Sequence, residues 1–239
     1  MVFSGTNSDS LIEDITFRTA ADLNMFPIGD RTRYINEAYS RVCDIIINSD
    51  GRMSWDDANY PDTPITYTDL VKDQKKYTIF SDTPTALQDW LYIERIDIED
   101  ADGNGIQLVP IDEKDLDGMA LKEFNKESSL PTWFDFNGTE VTLYPASDYD
   151  RTKGLKMYFK RTPSYFTVSD TTKRPGFATI FHQYLSIYAA NQFNFTKKKD
   201  NSLQSEIIRL ETEIGKFYSK RPSKYETPVL SNKRGKMLR

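Results

Sequence analysis

The sequence predicts an α+β protein. An antiparallel four-helix bundle (residues 8–50 and 172–219) is interrupted by a large inserted antiparallel β-rich domain (residues 51–171) and followed by an extended C-terminal tail (residues 220–239). Three observations predict this. The hydrophobic period is helical up to Ser49, breaks into short β-branched and aromatic runs between Arg52 and Ser169, and is helical again after Lys173-Arg174-Pro175. Because the helical stretches flank the β-rich one, an insertion that begins and ends near one point lets four helices close antiparallel. With 239 residues, 38% of them apolar, the chain can bury a sizeable core.

The elements follow in order. Asp9 or Ser8 can cap a first helix, with Leu11, Ile12, Ile15 and Thr19 on one face. Pro27 and Gly29 break it. Asp30 then caps a second helix in which Ile35, Ala38, Tyr39, Val42 and Ile46 form an apolar stripe, ending at Ser49-Asp50-Gly51.

The β-rich region reads as TPITYTD, KKYTIFSD, DWLYIERIDIED, GIQLVPID, TWFDF, EVTLYPA and GLKMYFKRTP, separated by turn clusters. In WLYIERIDIED the apolar parity shifts near Arg95-Ile96, which predicts a bulge or a change of buried face. In FNGTEVTLYP, Asn137-Gly138 offers the two positive-φ positions of a type I′ hairpin turn, and Val141 and Leu143 alternate with polar neighbours. Trp133, Phe134 and Tyr144 are able to pack on this strand pair or on an adjacent subunit. Within DEKDLDGMALKEF, Leu116, Ala120 and Phe124 are spaced for one short helix.

In the third helix Phe177, Ile180, Phe181, Tyr184, Leu185 and Tyr188 make a broad apolar face, and Ala189-Ala190 allows a close neighbour. After the polar break TKKKDNS, Leu203, Ile207, Leu210, Ile214 and Phe217 form a heptad seam in the fourth. Lys220–Arg239 holds seven basic residues against Glu226 alone, with two prolines and little periodicity, and reads as an extended basic arm.

Charge is uneven. Residues 1–150 hold 12 Lys/Arg against 30 Asp/Glu, and residues 151–239 hold 19 against 6, within a net charge of −5. An acidic front and a basic back suit a molecule that stacks on partners or on copies of itself. MVFSGTNSDS has neither a basic n-region nor an apolar h-region, so no secretory signal is expected and the product is expected in the cytosol. The glycosylation sequons at Asn137 and Asn194 then read as chance matches. No apolar run reaches the roughly 20 residues of a membrane-spanning helix.

Few residues invite chemistry. One cysteine, Cys43, excludes an internal disulfide, and one histidine, His182, excludes multi-histidine metal sites. DADGNG, from Asp100 to Gly105, starts like a calcium loop, but Ile111 stands where the bidentate Glu belongs, so it reads as a polar hairpin turn. Asp112, Glu113, Asp115 and Asp117 read as solvated surface charge, His182 as a hydrogen-bonded core or interface residue, and Cys43 as a small buried apolar group. Lys197-Lys198-Lys199 and the tail are the basic clusters able to touch nucleic acid. Phosphate-binding glycine loops and nucleophile elbows are absent, so neither an enzyme nor a cofactor is expected.

Three stretches carry a resemblance: RTRYINEAYSRVCDII, WLYIERIDIEDADGNGIQLVPIDEKDL and PTWFDFNGTEVTLYPASD, with GLKMYFKRTPSYF leading into the Tyr-rich FATIFHQYLSIYAANQF. Together they resemble the head-to-tail adaptor proteins (head-completion, or tail tubular A-like) of short-tailed bacteriophages, over about Leu11 to Phe217. The resemblance implies a helical bundle with an inserted β-domain, assembled as a ring of commonly about twelve copies that docks under the portal and extends its DNA channel. It also implies that the tail orders on the portal, with Tyr225, Pro228, Val229 and Leu230 as apolar anchors and Lys233, Arg234 and Lys236 as charge contacts. The partners implied are the portal protein, the next tail ring or tail-tube protein, further copies of the chain, and DNA passing without sequence-specific binding. The place implied is the portal–tail junction of the virion, after synthesis in the host cytoplasm. The alternatives are another ring tier of the tail, or a nucleic-acid-binding module using the basic C-terminal half.

Overall fold

Ser10 starts the first helix: its Oγ accepts from the Glu13 amide at 3.4 Å, so α1 runs Leu11–Thr19 and ends at Ala20 in the left-handed conformation. The cap is therefore neither Asp9 nor Ser8, and Ser8 lies outside the described residues. The computed structural model describes residues 1–4, 9–49, 55–78, 90–111, 127–137 and 140–220. Helix α2, Ile28–Ser49, begins two residues before Asp30, so Asp30 sits in its first turn, near the positive end of the helix dipole, instead of capping it. Ile35, Ala38, Tyr39, Val42 and Ile46 are all buried, as their spacing predicts.

The chain divides into two units, Met1–Asn59 with Ser164–Arg239, and Tyr60–Pro163. In the first, a 3-10 turn at Thr179–Phe181 leads into α3, Gln183–Lys198, and then α4, Gln204–Ser219. Ala189 and Ala190 are fully buried on α3, while Ile180 faces outward. The seam of α4 ends on buried Tyr218 and leaves Phe217 half-buried, since Tyr218 lies four residues after Ile214 on the same face. No helix among the described residues is long and apolar enough to cross a membrane.

These helices do not make the predicted antiparallel four-helix bundle. Helix α1 has 9 residues against 22 in α2, or about 13 Å against about 33 Å at 1.5 Å per residue. It is too short to be a fourth wall. It rests mainly on α3 and meets α2 chiefly through Arg31, while α2 packs along α3 and α4. Non-helical aromatics complete the core: Phe3 stacks on Phe166 at 5.0 Å, and Phe177 lies 5.5 Å from Tyr39.

The second unit is built of two four-stranded sheets, so the protein as a whole is rich in β-structure. Its strands are β1 Ile65–Leu70, β2 Lys76–Thr78, β3 Trp90–Glu99, β4 Gly105–Gln107, β5 Val109–Pro110, β6 Trp133–Asn137, β7 Glu140–Tyr144 and β8 Arg151–Arg161. The sheet orders are β1-β8-β3-β4 and β2-β7-β6-β5. Pairing is antiparallel except between β5 and β6, which are parallel, so the insertion is not the purely antiparallel one expected. Strand β5 is an edge, where Pro110, lacking an N–H, is tolerated.

The register of β3 on β8 slips between Trp90 and Tyr92 and again between Ile93 and Arg95. The second slip is the predicted bulge, and it brings Ile96 and Ile98 into the core beside Leu155 and Met157. Val141 and Leu143 alternate inward along β7 as predicted, and Trp133, Phe134 and Tyr144 are half-buried. Of the two expected turn positions, Asn137 pairs with Glu140 and closes β6 as a strand residue, and Gly138 lies outside the described residues. The short helix expected around Leu116, Ala120 and Phe124 lies outside them too.

Candidate functional site

The tail residues singled out for docking, Tyr225, Pro228, Val229, Leu230, Lys233, Arg234 and Lys236, lie outside the described residues, as do Asp112, Glu113, Asp115 and Asp117. Within the helical unit the structure places several polar frameworks among the described residues.

The Ile35-Asn36-Glu37-Ala38 stretch of α2 is one such framework. Ile35 and Ala38 are buried. Asn36 clasps the backbone of Phe166 from both sides, its Nδ2 donating to the carbonyl and its Oδ1 accepting from the amide, each at 2.9 Å. Glu37 accepts from the Tyr188 hydroxyl at 2.7 Å, which joins α2 to α3.

A second framework surrounds Asp57, which is buried although charged. Its Oδ2 accepts from the Tyr39 hydroxyl and from the Ser164 amide at 3.0 Å. Its Oδ1 accepts from the Asn59 amide at 2.8 Å and side chain at 2.9 Å. The carboxylate thus joins the segment that leaves the helical unit at Asn59 to the one that re-enters at Ser164. Gly176 closes over it: a Cβ there would lie 1.8 Å from Asp57 Oδ1. Sequence reasoning missed both Asp57 and Gly176.

Arg31 makes the third. It is wholly buried and uses its guanidinium on five acceptors: the carbonyls of Phe26 (2.7 Å), Ile12 (3.2 Å), Ala21 (2.8 Å) and Asp22 (3.1 Å), and the Thr16 hydroxyl (2.6 Å). Burial lowers its pKa from the usual range. Asp22 adds an inner brace by accepting from the amides of Asn24 and Met25. The α1–α2 turn is thereby fixed, with Leu23 and Met25 exposed upon it.

Between the C-terminal halves of α2 and α4 lies a groove of about 530 Å³, lined by residues that include Asp44, Ile45, Asn48, Thr212 and Lys216. Arg41 pairs with Glu211 at 3.2 Å on its flank, and Glu211 also accepts from the Tyr184 hydroxyl at 2.8 Å.

The other residues read from the sequence have structural surroundings. His182 is buried, with Nε2 3.0 Å from the Phe177 carbonyl and Nδ1 3.2 Å from the Met1 nitrogen, and burial lowers its pKa. Burial pushes the Cys43 thiol well up. DADGNG is the turn between β3 and β4, where Asp100 accepts from the amides of Asp102 and Asn104. The Asn104 side chain heads the hydrogen bonds that lower the Asp100 pKa. Nearby, Glu99 holds Lys156 and Arg151, and the Lys156 hydrogen bond is the leading cause of its lowered pKa. Among the described residues no group of three or more His, Cys, Asp or Glu is placed to hold a metal ion.

No curated protein matches the chain. The family model for the SU10 adaptor protein matches residues 6–228, nearly the whole length. This chain therefore belongs to the SU10 adaptor protein family, in keeping with the phage head-to-tail adaptors it resembles.

Proposed function

We propose that this phage structural adaptor is a ring subunit of the portal–tail vertex, which docks under the portal and extends the DNA channel toward the tail. The observation that carries the reading is the family match over residues 6–228. The charge distribution supports it, because an acidic residue excess lining a channel lets DNA slide without tight phosphate contacts.

In this reading the helical segments (8–50 and 172–219) and the β-rich insertion between them (51–171) form the ring wall, of about twelve copies by the cyclic symmetry usual for such assemblies. Lys220–Arg239 is the docking tail, with Tyr225, Pro228, Val229 and Leu230 as apolar anchors on the portal and Lys233, Arg234 and Lys236 as charge contacts. The β-rich unit faces the next tail ring or tail-tube protein.

The test is to mix the purified protein with its portal ring and measure the mass of the complex, beside a truncation ending at Ser219. Stoichiometric binding by the full chain alone supports both the adaptor position and the tail assignment. Binding by both keeps the position and removes the tail from it. Binding by neither moves the protein to another tier of the tail.

A further inference from the structure

Helix α4 ends at Ser219, and Ser219 is itself part of the wall of the groove of about 530 Å³ between the C-terminal halves of α2 and α4. Residues 220–239 therefore leave the helical unit from the groove's own edge. A volume of this size lies within the range that holds a ligand or several side chains.

Gly215 keeps the groove deep. A Cβ there would meet only Ile45 Cγ2, at 3.7 Å, which is ordinary contact, so packing does not require glycine. Glycine inside a helix is less favourable than alanine. A helix that bears it with room to spare leaves space open beside the half-buried Ile45. The charges on the walls are only partly matched. Arg41 is taken by Glu211, which the Tyr184 hydroxyl also holds. Asp44 of α2 and Lys216 of α4 are exposed and form no ion pair among the described residues, although Asp44 accepts from the Asn48 side chain at 2.7 Å.

We propose that residues 224–230 of the same chain occupy this groove before the protein meets any partner, with Tyr225, Val229 and Leu230 over Ile45 and Gly215, Lys224 toward Asp44 and Glu226 toward Lys216. An apolar floor between an anion and a cation fits an extended peptide that carries apolar residues and both charges. Length permits the contact. From Arg41 to Ser49 the α2 wall runs about 12 Å, and residues 225–230 reach about 20 Å when extended. Residues 220–224 remain for the reversal, and Pro222 bars continuation of α4. Tethering at Ser219 makes docking intramolecular, so a contact too weak to hold a separate peptide holds this one, and a second molecule must compete with it. The proposal goes beyond the vertex reading and does not depend on it. Where both hold, a portal has to lift the tail out of the groove, and the apolar anchors stay covered until then.

The experiment uses the full-length protein with the photoreactive residue p-benzoylphenylalanine in place of Leu230, irradiated without portal and mapped by mass spectrometry of the monomer band. The expected result is crosslinking within one chain to peptides that contain Ile45 or Gly215. Beside it, trypsin cleavage after Lys224 is timed in the parent and in Gly215→Met, whose side chain fills the groove. The variant should keep the parent's circular dichroism and urea midpoint, or exceed the midpoint, and should lose its tail about tenfold faster. Crosslinks absent from the monomer or falling elsewhere, or equal cleavage rates in the two proteins, would overturn the proposal. So would crosslinks that join two chains only, since a second copy would then hold the groove. Failure to bind portal with the internal crosslink present would sink the vertex position alone, and portal binding without that crosslink would sink this contact alone.

Discussion

The Tyr39 hydroxyl donates to the buried carboxylate of Asp57 and accepts from the Gly176 amide at 2.5 Å. One phenol thereby links the middle of α2 to Asp57 and to Gly176, both within the helical unit. Burial first, then the Asp57 charge, pushes its pKa far above the usual range, so the hydroxyl stays protonated and remains a donor.

Tyr39→Phe removes that donor and leaves the Gly176 amide without this acceptor. The expected loss is about 1–3 kcal/mol of unfolding free energy, the usual cost of a buried group left unsatisfied. Asp57→Ala should cost more, because it strands the hydroxyl and the amides of Asn59 and Ser164 together. Urea unfolding of both variants measures this, and parental midpoints would remove the clasp from the account of stability.

Gly176→Ala tests the same place by size. The added methyl would sit 1.8 Å from Asp57 Oδ1 and 2.6 Å from the Ala58 amide nitrogen, so backbone must move. Overpacking of this kind costs about 1–3 kcal/mol or more. Gly29→Ala is the control, since its Cβ would meet nothing within 4 Å. A thermal melt in which the two variants coincide would contradict the crowding at Gly176.

Arg31→Met keeps length and apolar bulk but withdraws five hydrogen bonds. With buried carbonyls of Ala21 and Phe26 unsatisfied, the loss should reach about 3 kcal/mol. Arg31→Lys should recover little, because an ammonium cannot reproduce the planar fork. Amide exchange of Ala21–Phe26 should rise in both. Unchanged protection there would mean that the turn is held by other contacts.

His182 makes stability depend on pH in a defined direction. Its pKa in the folded protein is lowered, so the unfolded chain takes up the proton first. Its contribution is complete above the unfolded value of about 6.5 and is lost as pH falls toward and through the lower folded value. Glu99 and Asp100, whose pKa values are also lowered, act in the same sense in a more acidic range. His182→Gln should therefore flatten unfolding free energy between about pH 7 and pH 5 relative to the parent. Parallel profiles for the two proteins would assign the slope to other groups.

Local chemistry determined much of this molecule. The stripe Ile35, Ala38, Tyr39, Val42 and Ile46 fixes the buried face of α2, because apolar groups at helical spacing can only be covered together. The parity break at Arg95-Ile96 announced a bulge, since side chains alternate with period two and a slip needs an extra residue. The DADGNG turn and the alternation along β7 were legible for the same reason. The residues that carry the resemblance to phage adaptors lay in these segments, and the family match agrees with them.

What tertiary structure alone decided involves partners distant in sequence. Periodicity cannot measure whether nine residues of α1 suffice for a bundle wall, and here Phe3, Phe166 and Phe177 close the core instead. Nor can a single chain of letters show that Asp57 meets Ser164 across 107 positions, or that Arg31 spends its donors on five acceptors from Ile12 to Phe26. A buried charge is tolerable only when such partners surround it, and those partners exist only once the chain has folded.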